Sequence, residues 1–374
     1  ERIEYIPGYF RRLRILREKC ACPQHPAAGV VTAEGPDFVI ERGLPGNGLV
    51  AKVVVDKYAD HIPLNRQSKR FDRDEGVKIA VSTMCGWLRR TAGLLKHVVA
   101  VMHAELLTGA FLQSDATGLP ILHGPKNQPL RGHLWSYTDG LQVVFQASTD
   151  GRQVHPEALL EGFNGTLLTD GAGAYNAAAA ADGVTRAGCW AHARRKFFEA
   201  RNEDPVRAAT ALATIKEIFL TERAARDLEP GDRARFRREC LAERLGRFRA
   251  LLDTWSTTTR PKSAMGKAIT YARGQWGTLV VFLDDGRAPP HNNTSERLLR
   301  GPVVGRKNWL FAGSTGGAHA AATFFSIVAS CEMAGVDPFA YLRDVLSLLP
   351  DAKPQELKTL TPRAWAADFA AESA

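Results

Sequence analysis

The chain has 374 residues, 45% hydrophobic and 24% charged, the composition of a globular protein and not of a disordered one. Its length exceeds one ordinary core, so two or three domains are expected, and no run approaches the ~20 apolar residues of a membrane helix. A net charge of +9 and a pI near 9.3 point to a polyanionic partner.

In chain order, Glu1 stands first with no charged-then-apolar leader, so the chain is expected to lack a secretory signal and its natural start. A basic stretch follows, with Arg11, Arg12, Arg14, Arg17 and Lys19, then Cys20, Cys22 and His25. These last three offer half of a zinc site, with no second cysteine pair upstream. Six cysteines scattered over this length do not make a disulfide framework, and a reducing cytoplasm is the simpler home.

After a Gly/Pro-rich stretch, Gly43 to Gly48, the spacing of Leu49, Val50, Val53, Val54 and Lys57 predicts a helix. A second covers Val81 to Leu95 with Ser82 as N-cap. Near Gly109 the pattern changes to strands. Ala110 to Ser114 reads as a short buried strand ending at Asp115; His133 to Tyr137 and Leu141 to Ala147 form a hairpin around Thr138-Asp139-Gly140. A helix over His155 to Glu161, a strand Thr166 to Thr169 ending at Asp170, an Ala-rich helix over 173–181, a strand Val184 to Cys189 and a helix from Ala191 follow. A three-strand meander leading into alternating units gives a mixed sheet with helices on its faces. From about 200 to 285 strand signals vanish and helical spacing dominates, as for a helical insertion. The part from Ala318 to Leu348 is helical, broken at Val336-Asp337-Pro338.

The expected division is a partial zinc-binding basic segment (1–45), a helical region compatible with DNA binding (46–108), an α/β domain with a helical insertion at about 200–285 (109–315) and a C-terminal helical region (316–374). Further basic blocks are Arg194, Arg195 and Lys196, and Arg297, Arg300, Arg306 and Lys307. Charge in blocks can track a phosphate backbone, whereas scattered charge only solvates.

Asp115 and Asp170 each end a short apolar strand and precede a small residue or turn. Such aspartates often just open turns. If the strands are neighbours, however, two carboxylates meet, and a hard cation such as Mg²⁺ or Mn²⁺ relieves their repulsion. Asn293-Thr294-Ser295-Glu296 has capping-box spacing, which is compatible with Glu296 also serving as a metal ligand. Cys189 and His192 sit at a strand-to-helix junction and read either as a buried thiol with a hydrogen-bonded histidine or as half of a zinc site. No Gly-x-Ser-x-Gly elbow, Walker loop, dinucleotide fingerprint or His-Glu-x-x-His segment is present.

The run Asn292-Asn293-Thr294-Ser295-Glu296-Arg297, then Arg300, then Gly305 to Ser314 resembles the large transposase of the insertion-sequence-66 family, a bacterial mobile-element enzyme. So do Leu168-Thr169-Asp170-Gly171 with Tyr175-Asn176, Cys189-Trp190-Ala191-His192 through Phe197, Tyr5-Ile6-Pro7 with Cys20-Ala21-Cys22, and Lys57 to Gln67. The resemblance implies a ribonuclease-H-like core interrupted by a helical insertion, with Asp115, Asp170 and Glu296 as the catalytic, metal-holding triad. It implies metal-dependent cleavage and strand transfer by two-metal phosphoryl transfer, with Mg²⁺ or Mn²⁺ as cofactor. It also implies Zn²⁺ at an N-terminal segment whose second ligand pair is Cys20 and Cys22. The partners implied are transposon-end and target DNA, further copies of the chain on DNA, and accessory proteins of the same element. No membrane is involved, and the expected location is the bacterial cytoplasm, at the nucleoid. An acidic residue usually follows the first aspartate in the family; here Ala116 does. The rival readings are a nuclease of the same fold that cleaves without joining, and a DNA-binding relic without catalysis.

Overall fold

A computed structural model describes residues 3, 8–21, 23–25, 29–40, 43–123 and 128–372, with side chains through 368. Near the N-terminus β1 (Lys19–Ala21) and β2 (Val30–Thr32) pair antiparallel as an isolated ribbon. Three helices follow: α1 (Asn47–Tyr58), α2 (Leu64–Glu75) and α3 (Val81–Thr108). The last is nearly twice the length its apolar period predicts and starts at an Ala80 N-cap, so Ser82 does not cap it.

The sheet begins with β3 (Phe111–His123), β4 (Leu130–Thr138) and β5 (Val143–Ser148), an antiparallel meander. Its second turn is tied locally. Gly140 takes a φ of +94°, and the Asp139 Oδ1 accepts the backbone N–H groups of Leu141 and Gln142 at 2.8 and 2.9 Å. Then come α4 (Val154–Leu159), β6 (Gly165–Leu168), α5 (Asn176–Ala179), β7 (Val184–Ala187) and α6 (Trp190–Glu199). Strand order is β5-β4-β3-β6-β7, with β6 and β7 parallel to β3. The architecture is therefore mixed α/β around one mixed sheet.

β3 does not stop at Asp115. Gly118 and Pro120 obscure its continuation in the sequence, yet β4 pairs with it as far as Ile121. On its other edge, β6 pairs only residues 111–113, and β8 (Ala312–Ser314) pairs only Ile121 and His123. Pro120, which lacks an N–H, lies on the edge between these two partners, where no strand demands one.

Between α6 and β8 the chain makes α7 (Pro205–Ala224), α8 (Pro230–Thr258), α9 (Ala264–Gly274), α10 (Trp276–Leu279) and α11 (Asn293–Trp309). Residues buried in α8 run Ala234, Arg237, Leu241, Leu245, Phe248, Leu252 and Trp255, the three-then-four spacing of one apolar stripe. From Leu241 onward they join Trp190, Phe197, Ile215, Ile269 and Phe282 in a core of their own. Arg237, fully buried beside it, donates from Nη1 to the Phe282, Asp285 and Ala288 carbonyls and forms an ion pair with Glu222. A buried charge persists only with such partners.

The remaining helices are α12 (Thr315–Met333), α13 (Pro338–Leu348) and α14 (Pro362–Glu372). α12 covers the edge strand β5: Ser326 and Ser330 Oγ accept the Phe145 and Val143 N–H groups at 2.7 and 3.0 Å. An edge that would otherwise present bare donors is thereby closed. One apolar core runs from Val39 through the sheet to Leu360, uniting α1 to α3 with α12 and α13. No helix among the described residues is long and apolar enough to cross a membrane.

Candidate active site

The parallel pairing of β3 with β6 sets Gln113 opposite Leu168. The pairing ends there; Asp170 comes two residues after Leu168 as Asp115 comes two after Gln113, and the Asp170 charge reaches the Asp115 carboxyl. A two-residue step returns each chain to the same face of the sheet. The pairing is held close at its start: a Cβ at Gly165 would lie 2.4 Å from the Ala110 carbonyl oxygen, so only glycine fits.

Asp115 accepts the N–H of Ala116 at 2.7 Å, and Asp170 accepts that of Ala172 at 2.8 Å. Beside Asp170 the backbone turns through Gly171, whose φ is +86°. Arg186 clamps this turn, donating to Thr169 Oγ1, Asn176 Oδ1 and the Ala172 carbonyl. From the insertion, the Tyr271 hydroxyl donates to the Asp170 carbonyl at 3.2 Å.

Glu296 arrives from far along the chain, and one asparagine brings it. The Asn292 Nδ2 donates to the Ser114 carbonyl at 3.1 Å, on the edge of β3 that no strand covers. Its backbone N–H donates to Cys189 Sγ at 3.3 Å. Fully buried, Asn292 thus pins the start of α11 to β3 and α6 together. It is also the N-cap residue of α11, with its side chain spent on β3 instead of on the helix. The capping box expected from Asn293 and Glu296 does not form: Asn293 is the first helical residue, and Glu296 points its carboxylate elsewhere.

Asp115 feels the other two carboxylates. Burial pushes the Asp115 carboxyl up to about 7, the Ala116 N–H opposes this, and the negative charges of Asp170 and Glu296 add to it. Among the described residues no lysine or arginine pairs with any of the three; the ion-pair neighbour of Glu296 is His192, with Nε2 3.8 Å from Oε1. Cys189, His192 and Glu296 also form a trio whose donor atoms lie within 4.8 Å of one another, and the two aspartates stand outside it. Sequence reasoning weighed Cys189 and His192 but did not bring Glu296 to them.

The basic residues flank this centre. In α11, exposed Arg297, Arg300 and Lys307 share one face at helical spacing, and half-buried Arg306 reaches β3, its Nη1 3.6 Å from where a Cβ of Gly118 would be. In α6, Arg194 and Arg195 line a cavity of about 700 Å³ together with Phe198, Phe219, Arg223, Arg226 and Glu296. Lys196 instead lies over the Tyr271 ring at 4.9 Å. Asn292, Arg186, Tyr271, Arg223 and Arg226 were missed by sequence reasoning. For the last two, the helical spacing of the insertion gives no sign that it faces Glu296. Cys20 is an exposed thiol on β1, and Cys22 lies outside the described residues.

The "Uncharacterized protein y4hP" of Sinorhizobium fredii is 33% identical over 402 residues, covering 98% of this chain and 70% of the relative. The "Uncharacterized protein y4qI" of the same organism is 32% identical over 381 residues, covering 97% and 70%. Residues 326–363 match the IS66 C-terminal element. Residues 42–320, which carry the whole sheet and all three carboxylates, match the transposase IS66 family, and the chain belongs to that family.

Proposed function

We propose that this chain is a DNA transposase with a ribonuclease-H-like core, cutting and joining phosphodiesters at the ends of a bacterial insertion sequence through Asp115, Asp170 and Glu296. The observation that supports the reading is electrostatic: the charges of Asp170, which follows the strand paired with β3, and of Glu296, just after the Asn292 that bonds to β3, both raise the Asp115 carboxyl. Family membership supports DNA as the substrate.

The donor set fits a hard divalent cation. Glu296 Oε1 is buried without a hydrogen-bond partner, and the charges of Asp170 and Glu296 both act against ionisation of Asp115. Asp115, Asp170 and Glu296 would hold Mg²⁺ or Mn²⁺, which when bound supplies positive charge for an in-line displacement at phosphorus. The protein's own share is positioning. Asp115, on the central strand, is placed to serve both other carboxylates, and the Arg186 clamp fixes the turn carrying Asp170. Arg297, Arg300 and Lys307 offer their exposed face to the phosphate backbone, while Arg306 sits against the catalytic strand. Arg194 and Arg195 extend the positive surface into the cavity beside Glu296.

The test is a product assay on labelled duplexes carrying the ends of the DNA segment that encodes the chain, incubated with the full chain and Mg²⁺. Joined products are expected. Cleavage without joining would replace the reading with that of a nuclease, and neither product would leave a DNA-binding relic.

A further inference from the structure

The group at the start of α6 has a chemistry that hard-cation catalysis does not use. Cys189 is the N-cap of α6 and His192 lies in its first turn, three residues on, so both face one side. Together with Glu296 they bring a sulfur, an imidazole nitrogen and a carboxylate oxygen within 4.8 Å of one another. The histidine and the carboxylate are assembled but left partly unsatisfied. The His192 Nδ1 and Glu296 Oε1 are buried without a hydrogen-bond partner, and the 3.8 Å between His192 Nε2 and Glu296 Oε1 is too long for a hydrogen bond.

The sulfur is also prepared for negative charge. Sγ accepts the Asn292 N–H at 3.3 Å, and the backbone N–H groups of Ala191 and His192, in the first turn of α6, point at it as well.

We propose that Cys189, His192 and Glu296 form a seat for a thiophilic transition-metal ion, Zn²⁺ foremost, adjoining the aspartate pair and sharing Glu296 with it. Sulfur and imidazole select zinc over magnesium, whereas Asp115 and Asp170 offer only hard oxygen. The edges of a tetrahedral zinc site built from such donors are about 3.3–3.6 Å, so modest side-chain rotations close the trio. Three protein ligands leave a fourth position, and Glu296 also borders the open arginine-lined cavity. Because one carboxylate serves both places, zinc in the seat competes with Glu296's part in holding magnesium. Only this consequence rests on the transposase reading; the seat itself does not.

Titration of the full chain with Co²⁺ as a spectroscopic stand-in for zinc tests the seat. Cys20→Ser/Cys22→Ser as background removes the N-terminal cysteine pair. One equivalent of Co²⁺ is expected to give a thiolate-to-metal charge-transfer band that Zn²⁺ abolishes. The band should vanish in Cys189→Ser, and His192→Ala should bind about tenfold more weakly or worse. Near-ultraviolet circular dichroism checks that each variant is folded, and Glu296→Gln, which leaves sulfur and imidazole in place, should weaken binding without removing the band. No thiolate band in the folded background protein, or a band that survives Cys189→Ser, would overturn the proposal. Since the readout is optical, a chain inert on DNA can still pass and an active one can still fail.

Discussion

Two parts of the site reach the same place by different means. Asp115 lies in β3 and Asp170 two residues past the end of β6, so backbone pairing over a few adjacent residues brings their segments together. Glu296 is set by the side chain of Asn292, which crosses 178 residues of sequence to the Ser114 carbonyl. The first arrangement is rigid because slipping it by one residue would turn every side chain of β6 to the opposite face. The second depends on a single amide. Geometry from a sheet is built in, and geometry from one hydrogen bond can be removed by one substitution.

The largest effects should come from the carboxylates themselves. Asp115→Asn, Asp170→Asn and Glu296→Gln each remove a charged ligand while keeping shape. Charge stabilisation of several kcal/mol is at stake, so DNA cleavage rates should fall at least about a thousandfold. Binding of labelled DNA in gel shift should stay within about threefold. If one amide variant cleaves at the native rate, that residue drops out of the triad and the comparison loses one arm.

Asn292→Ala addresses the contrast directly. It breaks the tether to Ser114 and leaves a buried carbonyl unpaired, with a penalty of about 1–3 kcal/mol in stability. Misplacing Glu296 by about 1 Å should cost roughly a hundredfold in cleavage. Gly165→Ala probes the other arm, since its Cβ would collide with the Ala110 carbonyl and push β6 from β3. Melting and cleavage measured on both variants should show Asn292→Ala losing mostly activity and Gly165→Ala losing stability with it. Equal stability losses would mean that the asparagine is structural and does not aim Glu296.

How much of this was legible follows the same division. The aspartates stand out because each closes an apolar run ahead of a turn signal, which is local information. The β4–β5 hairpin announced itself through Asp139 and Gly140 for the same reason. The length of β3 did not, because Gly118 and Pro120 read as a break, and only the partners β4 and β8 show that the strand runs on. Two adjacent asparagines made the start of α11 ambiguous. The capping-box spacing favoured Asn293, whereas the helix begins one residue earlier because Asn292 is held by β3 and Cys189. Nothing near Arg223 or Arg226 tells that the insertion turns them toward Glu296; that is decided by how its core packs.

The pH response should be smaller, and its sign is fixed by Asp115. Its folded carboxyl is pushed up to about 7, first by burial and then by its acidic neighbours, against an ordinary value of 3.8. Between these values the folded state holds a proton that the unfolded chain has lost. The contribution of this group to stability is therefore fully present at acid pH and declines as pH rises through the window, by a few kcal/mol at most. Thermal melts without divalent cation should show the midpoint falling over that range, and Asp115→Asn should flatten the fall. Mg²⁺ added at pH 8 should restore the native midpoint and leave the variant unmoved. A native profile already flat without cation would mean that the three carboxylates do not share one field.

The smallest effects belong to the basic face of α11, where the contrast takes its last form. Arg297, Arg300 and Lys307 are exposed and, among the described residues, without carboxylate partners, so removing one leaves the fold alone. Each contact to a phosphate releases about one counterion, and each alanine substitution should lower the slope of log affinity against log salt by about 0.9. Affinity at low salt should fall severalfold, equally for end-derived and unrelated duplexes, because a phosphate contact carries no sequence information. Arg306 should behave differently, since it lies against Gly118 on the catalytic strand. Arg306→Ala is expected to slow cleavage more than it weakens binding. An Arg306 variant that shifts only the salt slope would place it with its exposed neighbours, and would leave the positioning of DNA against β3 to the carboxylates' own side of the sheet.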